Sequence, residues 1–423
     1  MVLVPFAYFT ALTAYWWIKH RGLDVCVYMS ALYAFTSLCA VCVVFGDMLE
    51  ADGGIHFDDY NLELGITPTI LYCALLTAGI YPFSLIYNKE IKHVEQSSSL
   101  ILESLCWLLF IIFLINFYLI ADSTIEILSG DLSNVRSDHY EGIESPAELK
   151  AQSLPSIFGY ILYFRQTTIL GLPLFFYYNC FSNKAWWFKT MLLATSITLP
   201  MFGLQMADRT EFTFYGMMFI FCLIFFWKYL TRKFKHRLIA IGSPFIFAIL
   251  FYLIAVSQAR FAKGDDNEKA YKAALQYAGQ NYLNFCYFWE YAKFEYISPE
   301  REFPFTYHTF FNIDSSPERR ETRSGQHGFF ISVFATYIGD IMLDLSPIGA
   351  ILWATIYLLL CLCIIRYAHR EIYDVGDVCV IFVLAAIPIF GIFYYRYYSY
   401  ISFYLFLSAA TIYLFSKINI IYK

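Results

Sequence analysis

Charge is what this chain has least of. Lys, Arg, Asp and Glu make up 15% of its 423 residues, against about 25% in soluble domains. Hydrophobic residues make up 59% and aromatics 21%, and the mean hydropathy is +0.54. A soluble globular protein is excluded on those figures. The Gly-Lys phosphate loop and the GxGxxG dinucleotide signature are also missing, so export driven by a nucleotide has no support. No internal repeat splits the chain into halves with matched broken segments, which speaks against a secondary transporter. No grouping of cysteine and histidine reads as a zinc site. Most of the 11 cysteines lie inside apolar runs, where Cys acts as a small hydrophobe, and Cys286 stands alone in the largest polar segment. No disulfide framework is expected.

What is present is a series of long apolar runs. A helix needs about 20 such residues to cross the hydrocarbon core. Runs that approach or meet this are 2–18, 25–45, 65–87, 100–120, 157–178, 185–201, 212–230, 238–256, 348–365, 378–394 and 398–415, which makes 11 spans. The loop at 231–237 carries Arg232, Lys233, Lys235 and Arg237 without an acid. The loop at 47–65 carries Asp47, Glu50, Asp52, Asp58, Asp59 and Glu63 without a base. Basic loops stay cytoplasmic. Alternation from these two anchors puts the amino terminus outside and the carboxyl terminus inside. The first run lacks a small-residue cleavage site and reads as a span. The net charge of −5 says little, because its sign is split across the membrane.

The expected fold is therefore all-α: a polytopic integral membrane protein of about 11 transmembrane helices, with residues 1–423 forming one integral membrane domain. A large outer loop, 257–347, falls between the eighth and ninth spans. Within it, 271–296 reads as a helix crowded with aromatics. The stretch 329–345 contains Asp340 and Asp344, is too short and too acidic to cross, and is expected to lie on or dip into the outer face.

Several residues on or near that face could carry chemistry. Arg165 sits in mid-span, where an ionisable group is costly. It reads either as an anion contact or as half of a buried ion pair. Arg209 and Arg260 stand at the outer ends of spans, near lipid phosphates, or simply snorkel there. Arg319, Arg320, Arg323 and His327 form the densest basic patch outside. Guanidinium forks suit phosphate oxygens, although Glu318 and Glu321 also permit a solvated, internally paired helix face. His56 with Asp58 and Asp59 offers hard ligands for a divalent cation, or is only an acidic loop. Tyr282 and Trp289 could stack on sugar rings, or anchor the loop in the headgroup layer.

The span count and the large late loop resemble those of the O-antigen polymerases, also called oligosaccharide repeat unit polymerases (Wzy-type). The segment 275–285 resembles that family's Tyr-x-Gly-x-x-x-x-Phe region. The segment 330–340, followed by Ser346-Pro347-Ile348-Gly349, resembles its late motif of aromatic, Asp and Gly residues. The resemblance implies a GT-C-like membrane glycosyltransferase in a bacterial inner membrane. It would join undecaprenyl-pyrophosphate-linked oligosaccharide units into a surface polysaccharide, O-antigen or capsule, at the periplasmic face. Undecaprenyl pyrophosphate would leave, and no cofactor or metal would be needed. Arg165, Arg209 and Arg260, with Arg319, Arg320 and Arg323, would bind the pyrophosphate. His327 and Glu321 would be the candidate bases, and Tyr282 and Trp289 the sugar-stacking rings. Partners would be the lipid-linked oligosaccharide, membrane lipids, a chain-length regulator and a flippase, with no nucleic acid. An O-antigen ligase, a flippase for the same lipid and a metal-dependent GT-C transferase remain alternatives.

Overall fold

A computed structural model describes residues 1–46, 48, 64–91, 99–129, 146–205, 209–238, 240, 267–292, 294, 302–303, 333–367, 372–397 and 400–421. The chain is all-α. Among the described residues, five helical segments are long and apolar enough to cross a membrane: Val25–Phe45, Ile66–Asn88, Leu100–Ala121, Arg209–Phe226 and Thr336–Arg366. The apolar helices Val375–Phe390 and Ser402–Ser416 are shorter. The described extended structure is one two-residue parallel pairing, β1 (Glu90–Ile91) with β2 (Ile372–Tyr373).

Two compact units share the chain. The first comprises Met1–Lys89, Phe261–Arg370 and Leu384–Tyr400; the second comprises Glu90–Arg260, Glu371–Val383 and Ile401–Lys423.

The first unit opens with α1 (Leu3–His20) and α2 (Val25–Phe45). The turn between them is written in its residues. Arg21 closes α1 in the left-handed region at φ 57°, and Gly22 follows at φ 148°, where a residue without Cβ is needed. Asp24 then caps α2 by accepting from Val27 N at 2.9 Å, and its other oxygen meets His20 Nδ1. Next come α3 (Ile66–Ile80), which tightens into a 3-10 segment at Tyr81–Asn88, and, much later, α11 (Asn267–Tyr291) and α12 (Thr336–Tyr367).

The expectation of a helix near 271–296 is met by α11, but this helix is no surface appendage. Its Gly279 lies so close to α2 that an added Cβ would sit 2.6 Å from Ala40 N. Tyr282 and Phe285 pack edge-on to Tyr72 of α3, at 5.1 and 5.3 Å between ring centroids.

Of the stretch expected to lie on or dip into the outer face, the described part is packed within the protein. Tyr337, Ile338, Ile341 and Met342 are buried, together with Asp340 and Asp344. The chain breaks from helical geometry at Ser346 (φ 67°, ψ 171°), just before Pro347, so the buried segment is distinct from the apolar helix after it. Each of the two acids accepts from a backbone N–H far along the chain, Asp340 from Tyr395 N and Asp344 from Glu302 N.

The second unit holds α4 (Ser99–Ser129), α5 (Pro146–Gln152), α6 (Ile157–Tyr163), α7 (Gly171–Phe181), α8 (Trp186–Ser196), α9 (Thr198–Gln205), α10 (Arg209–Phe226) and most of α14 (Tyr400–Ile421). The helix α13 (Val375–Phe390) begins in this unit and ends in the first.

Two apolar runs that read as single spans are broken helices here. The run 157–178 is split by a 3-10 segment, Arg165–Leu170. Thr167 and Thr168 donate back to Phe164 O and Arg165 O at 2.6 Å, holding the tight turn. Pro173 cannot donate to Ile169 O. The run 185–201 is split at Ile197, where Pro200 leaves Ser196 O without its helical donor. The run 238–256 falls almost wholly outside the described residues.

Candidate functional site

The break at Arg165 places a cation in an otherwise apolar run. Arg165 opens the 3-10 segment, half-buried. Its guanidinium lies 4.6 Å from the ring centroid of Phe202 on α9, a contact worth about 0.5–2 kcal/mol depending on desolvation. Both chain neighbours are pinned to α14. Gln166 Oε1 accepts from Ser402 Oγ at 3.0 Å, and the Phe164 ring lies 4.5 Å from that of Tyr404. Among the described residues no carboxylate is paired with Arg165. Of the two sequence readings, the buried ion pair is therefore not what the described residues form.

Arg209 is the first residue of α10, half-buried, with Glu211 in the same turn. It belongs to the same unit as Arg165, and α9, which supplies Phe202, precedes it in the chain. Arg260, Arg319, Arg320, Arg323, Glu321 and His327 lie outside the described residues, as do His56, Asp58 and Asp59. Tyr282 presents no open ring face. It is 1% exposed, and its hydroxyl is 2.7 Å from Thr69 Oγ1. Trp289 is half-buried near the end of α11. Among the described residues no group of three His, Cys, Asp or Glu could hold a metal ion.

The first unit contains a polar interior that sequence reasoning missed. The amino-terminal end of α12 meets the turn after α13. Thr336 N donates to Phe393 O at 3.1 Å, and Tyr337 N to Gly391 O at 3.0 Å. Orphan donors of one helix thus satisfy carbonyls beyond the end of another. Asp340 Oδ2 accepts from Tyr395 N, and Asp344 Oδ2 from Glu302 N, both at 2.7 Å. Thr336 (φ 67°) and Ser346 (φ 67°) bracket this acidic segment with left-handed backbone, a conformation non-glycine residues hold only when the surroundings impose it.

Arg396 is buried in the same turn, its guanidinium 5.5 Å from the Phe390 ring centroid and one nitrogen 3.5 Å from Tyr394 Oη. Burial pushes the phenols of Tyr395 and Tyr397 upward, so both stay neutral. The signal for Arg396 was available: a single cation inside Tyr394-Tyr395-Arg396-Tyr397-Tyr398, between two apolar runs.

On α11, Gln276, Gln280, Asn281 and Asn284 are all buried. Side-chain amides in an interior are normally fully bonded, and an unmet acceptor costs about 1–3 kcal/mol. Among the described residues, Asn281 Oδ1 and Asn284 Oδ1 have no hydrogen-bond partner.

No family model, curated protein or solved structure matches this chain.

Proposed function

We propose that this chain is a membrane glycosyltransferase that polymerises undecaprenyl-pyrophosphate-linked oligosaccharide repeat units into a surface polysaccharide, at the periplasmic face of a bacterial inner membrane. The observation that carries the reading is Arg165: a guanidinium on a broken helix in an apolar run, with no carboxylate paired with it among the described residues. Ionisable groups held within membrane segments mark sites of function by default. A fixed, charged donor near a departing pyrophosphate is also the largest kind of catalytic contribution to expect in group transfer.

In this reading the chain has 11 spans and a GT-C-like arrangement. The acceptor hydroxyl of one lipid-linked unit attacks C1 of the sugar on the other. The C1–O bond to pyrophosphate breaks as the new C1–O bond forms. The hydroxyl proton passes to a base, with His327 and Glu321 as the candidates, and undecaprenyl pyrophosphate departs. Arg165 and Arg209, together with Arg260, Arg319, Arg320 and Arg323, stabilise the charge that develops on it.

Deletion of the chain in its native host, followed by size analysis of the surface glycan, tests the reading. Single repeat units attached to their acceptor are the expected outcome. Unchanged long chains refute the reading. Free long chains still on undecaprenyl point to the ligase, and accumulation on the cytoplasmic side to the flippase.

A further inference from the structure

We infer that the basic end of the second unit, built on the short helix 232–238, is a binding surface for the headgroups of anionic phospholipids. The inference stands apart from the polymerase reading and needs only that this end lie at a membrane surface.

The short helix follows α10 and is two-sided. Arg232, Lys233, His236 and Arg237 are exposed, whereas Phe234, Lys235 and Leu238 are half-buried. Thr231 starts it, with Oγ1 accepting from Phe234 N at 3.3 Å and the carbonyl from Lys235 N at 3.0 Å. The Phe234 ring lies 6.0 Å from that of Phe175 on α7, and Lys235 Nζ lies 4.5 Å from the Trp227 ring centroid. The helix is thus folded back on the protein by one side, which holds the cations of its other side outward.

Further cations gather at the same end. The Tyr229 ring lies 5.0 Å from that of Phe181, so the end of α10 meets the end of α7. Lys189 of α8 and Lys235 are both near enough for their charges to act on the Cys180 thiol. Of the acids nearby, Glu103 is taken up by Lys184 at 2.7 Å, and Glu90 is exposed next to Ile91, whose N donates to Tyr229 Oη. Among the described residues no carboxylate is paired with Arg232, Lys233 or Arg237. Positive charge therefore dominates this end.

Exposed indoles decide what kind of anion fits. Trp186, Trp187 and Trp227 are 77%, 52% and 43% exposed. Indoles settle at the headgroup level, where one edge is wet and the ring is not. A soluble phosphate or polyanion makes no use of them. A phospholipid brings a phosphate to the guanidinium groups and apolar surface to the rings, and clustered Lys and Arg beside a span attract anionic lipid by charge.

The test heats the full chain in an uncharged detergent with dioctanoyl phosphatidylglycerol, dioctanoyl phosphatidylcholine or glycerol phosphate. Each shift is taken from the same protein's own unfolding temperature without additive. Wild type should be stabilised by phosphatidylglycerol alone, and high salt should remove the shift. The triple variant Arg232→Gln, Lys233→Gln, Arg237→Gln should unfold as wild type does without lipid, since all three side chains are exposed. It should need about a hundredfold more phosphatidylglycerol for the same shift, about fivefold for each cation. Phe234→Ala leaves every charge in place and loosens the helix from Phe175, and it should respond more weakly than wild type.

Equal shifts with phosphatidylcholine overturn the inference, as does an undiminished response of the triple variant. No shift of wild type with any additive overturns it too. A shift with glycerol phosphate as large as that with the lipid makes this a site for free phosphate and overturns the lipid assignment. A full response by Phe234→Ala refutes the folded-back helix as the binding element.

Discussion

Replacing Gly279 with Ala tests the claim that α11 is a core helix rather than part of an exposed loop. An ideal Cβ at Gly279 would meet Ala40 N and Cys39 C at 2.6 Å and Cys39 O at 2.8 Å, all of them backbone atoms of α2. Ordinary contact begins near 3.4 Å. The two helices would have to part by about 0.8 Å, because no side chain can rotate out of the way. Overpacking of this kind costs about 1–3 kcal/mol.

A helical Gly→Ala change also brings a propensity gain of about 1 kcal/mol, so a reference is needed. Gly216 supplies it: it lies inside α10, and a Cβ there meets nothing within 4 Å. Gly216→Ala should gain stability, while Gly279→Ala should fall below it by about 1–3 kcal/mol, the overpacking contribution alone. Unfolding of the full chain in detergent by heat or denaturant measures the difference. Gly279→Ala as stable as Gly216→Ala would mean that α11 does not rest against α2 as described.

Two further outcomes follow from the same structure. Arg165→Ala and Arg165→Lys should both abolish chain extension in the native host at normal protein level, by about a hundredfold or more, because Lys offers a point charge in place of a planar fork; full-length glycan from well-expressed Arg165→Ala would remove Arg165 from the site. Tyr357 Oη donates at 2.9 Å to Leu384 O, the carbonyl that Pro388 leaves without a helical donor. Tyr357→Phe should therefore cost about 1 kcal/mol, and much less in a Pro388→Ala background, where the backbone N–H that this change restores serves the carbonyl; equal losses in both backgrounds would refute the pairing.

Much of the fold was legible in the residues. Apolar runs of membrane-crossing length identify the five long helices, because a backbone in hydrocarbon must satisfy its own hydrogen bonds and a helix does so within one segment. Hydropathy was blind to breaks. Arg165–Leu170 and Ile197 interrupt runs that are uniformly apolar, and only Pro173 and Pro200 hint at it. The candidate site divides in the same way. Arg165 stood out as a cation where cations are costly. Asp340 and Asp344 read as making their stretch too acidic to cross, and charge in a sequence carries no record of a backbone N–H that will meet it.

Composition and periodicity by themselves determined that this chain is helical and made for a membrane, since those properties depend on each residue's own transfer free energy and on its near neighbours. Tertiary structure alone decided which polar groups would be enclosed and which would find partners. Tyr395 N reaches Asp340 across 55 residues, Phe334 O reaches Asn284 across 50, and Pro388 O reaches Tyr33 across 355. Whether a buried acid, amide or hydroxyl is satisfied is a property of such pairs, and no single residue carries it along the chain.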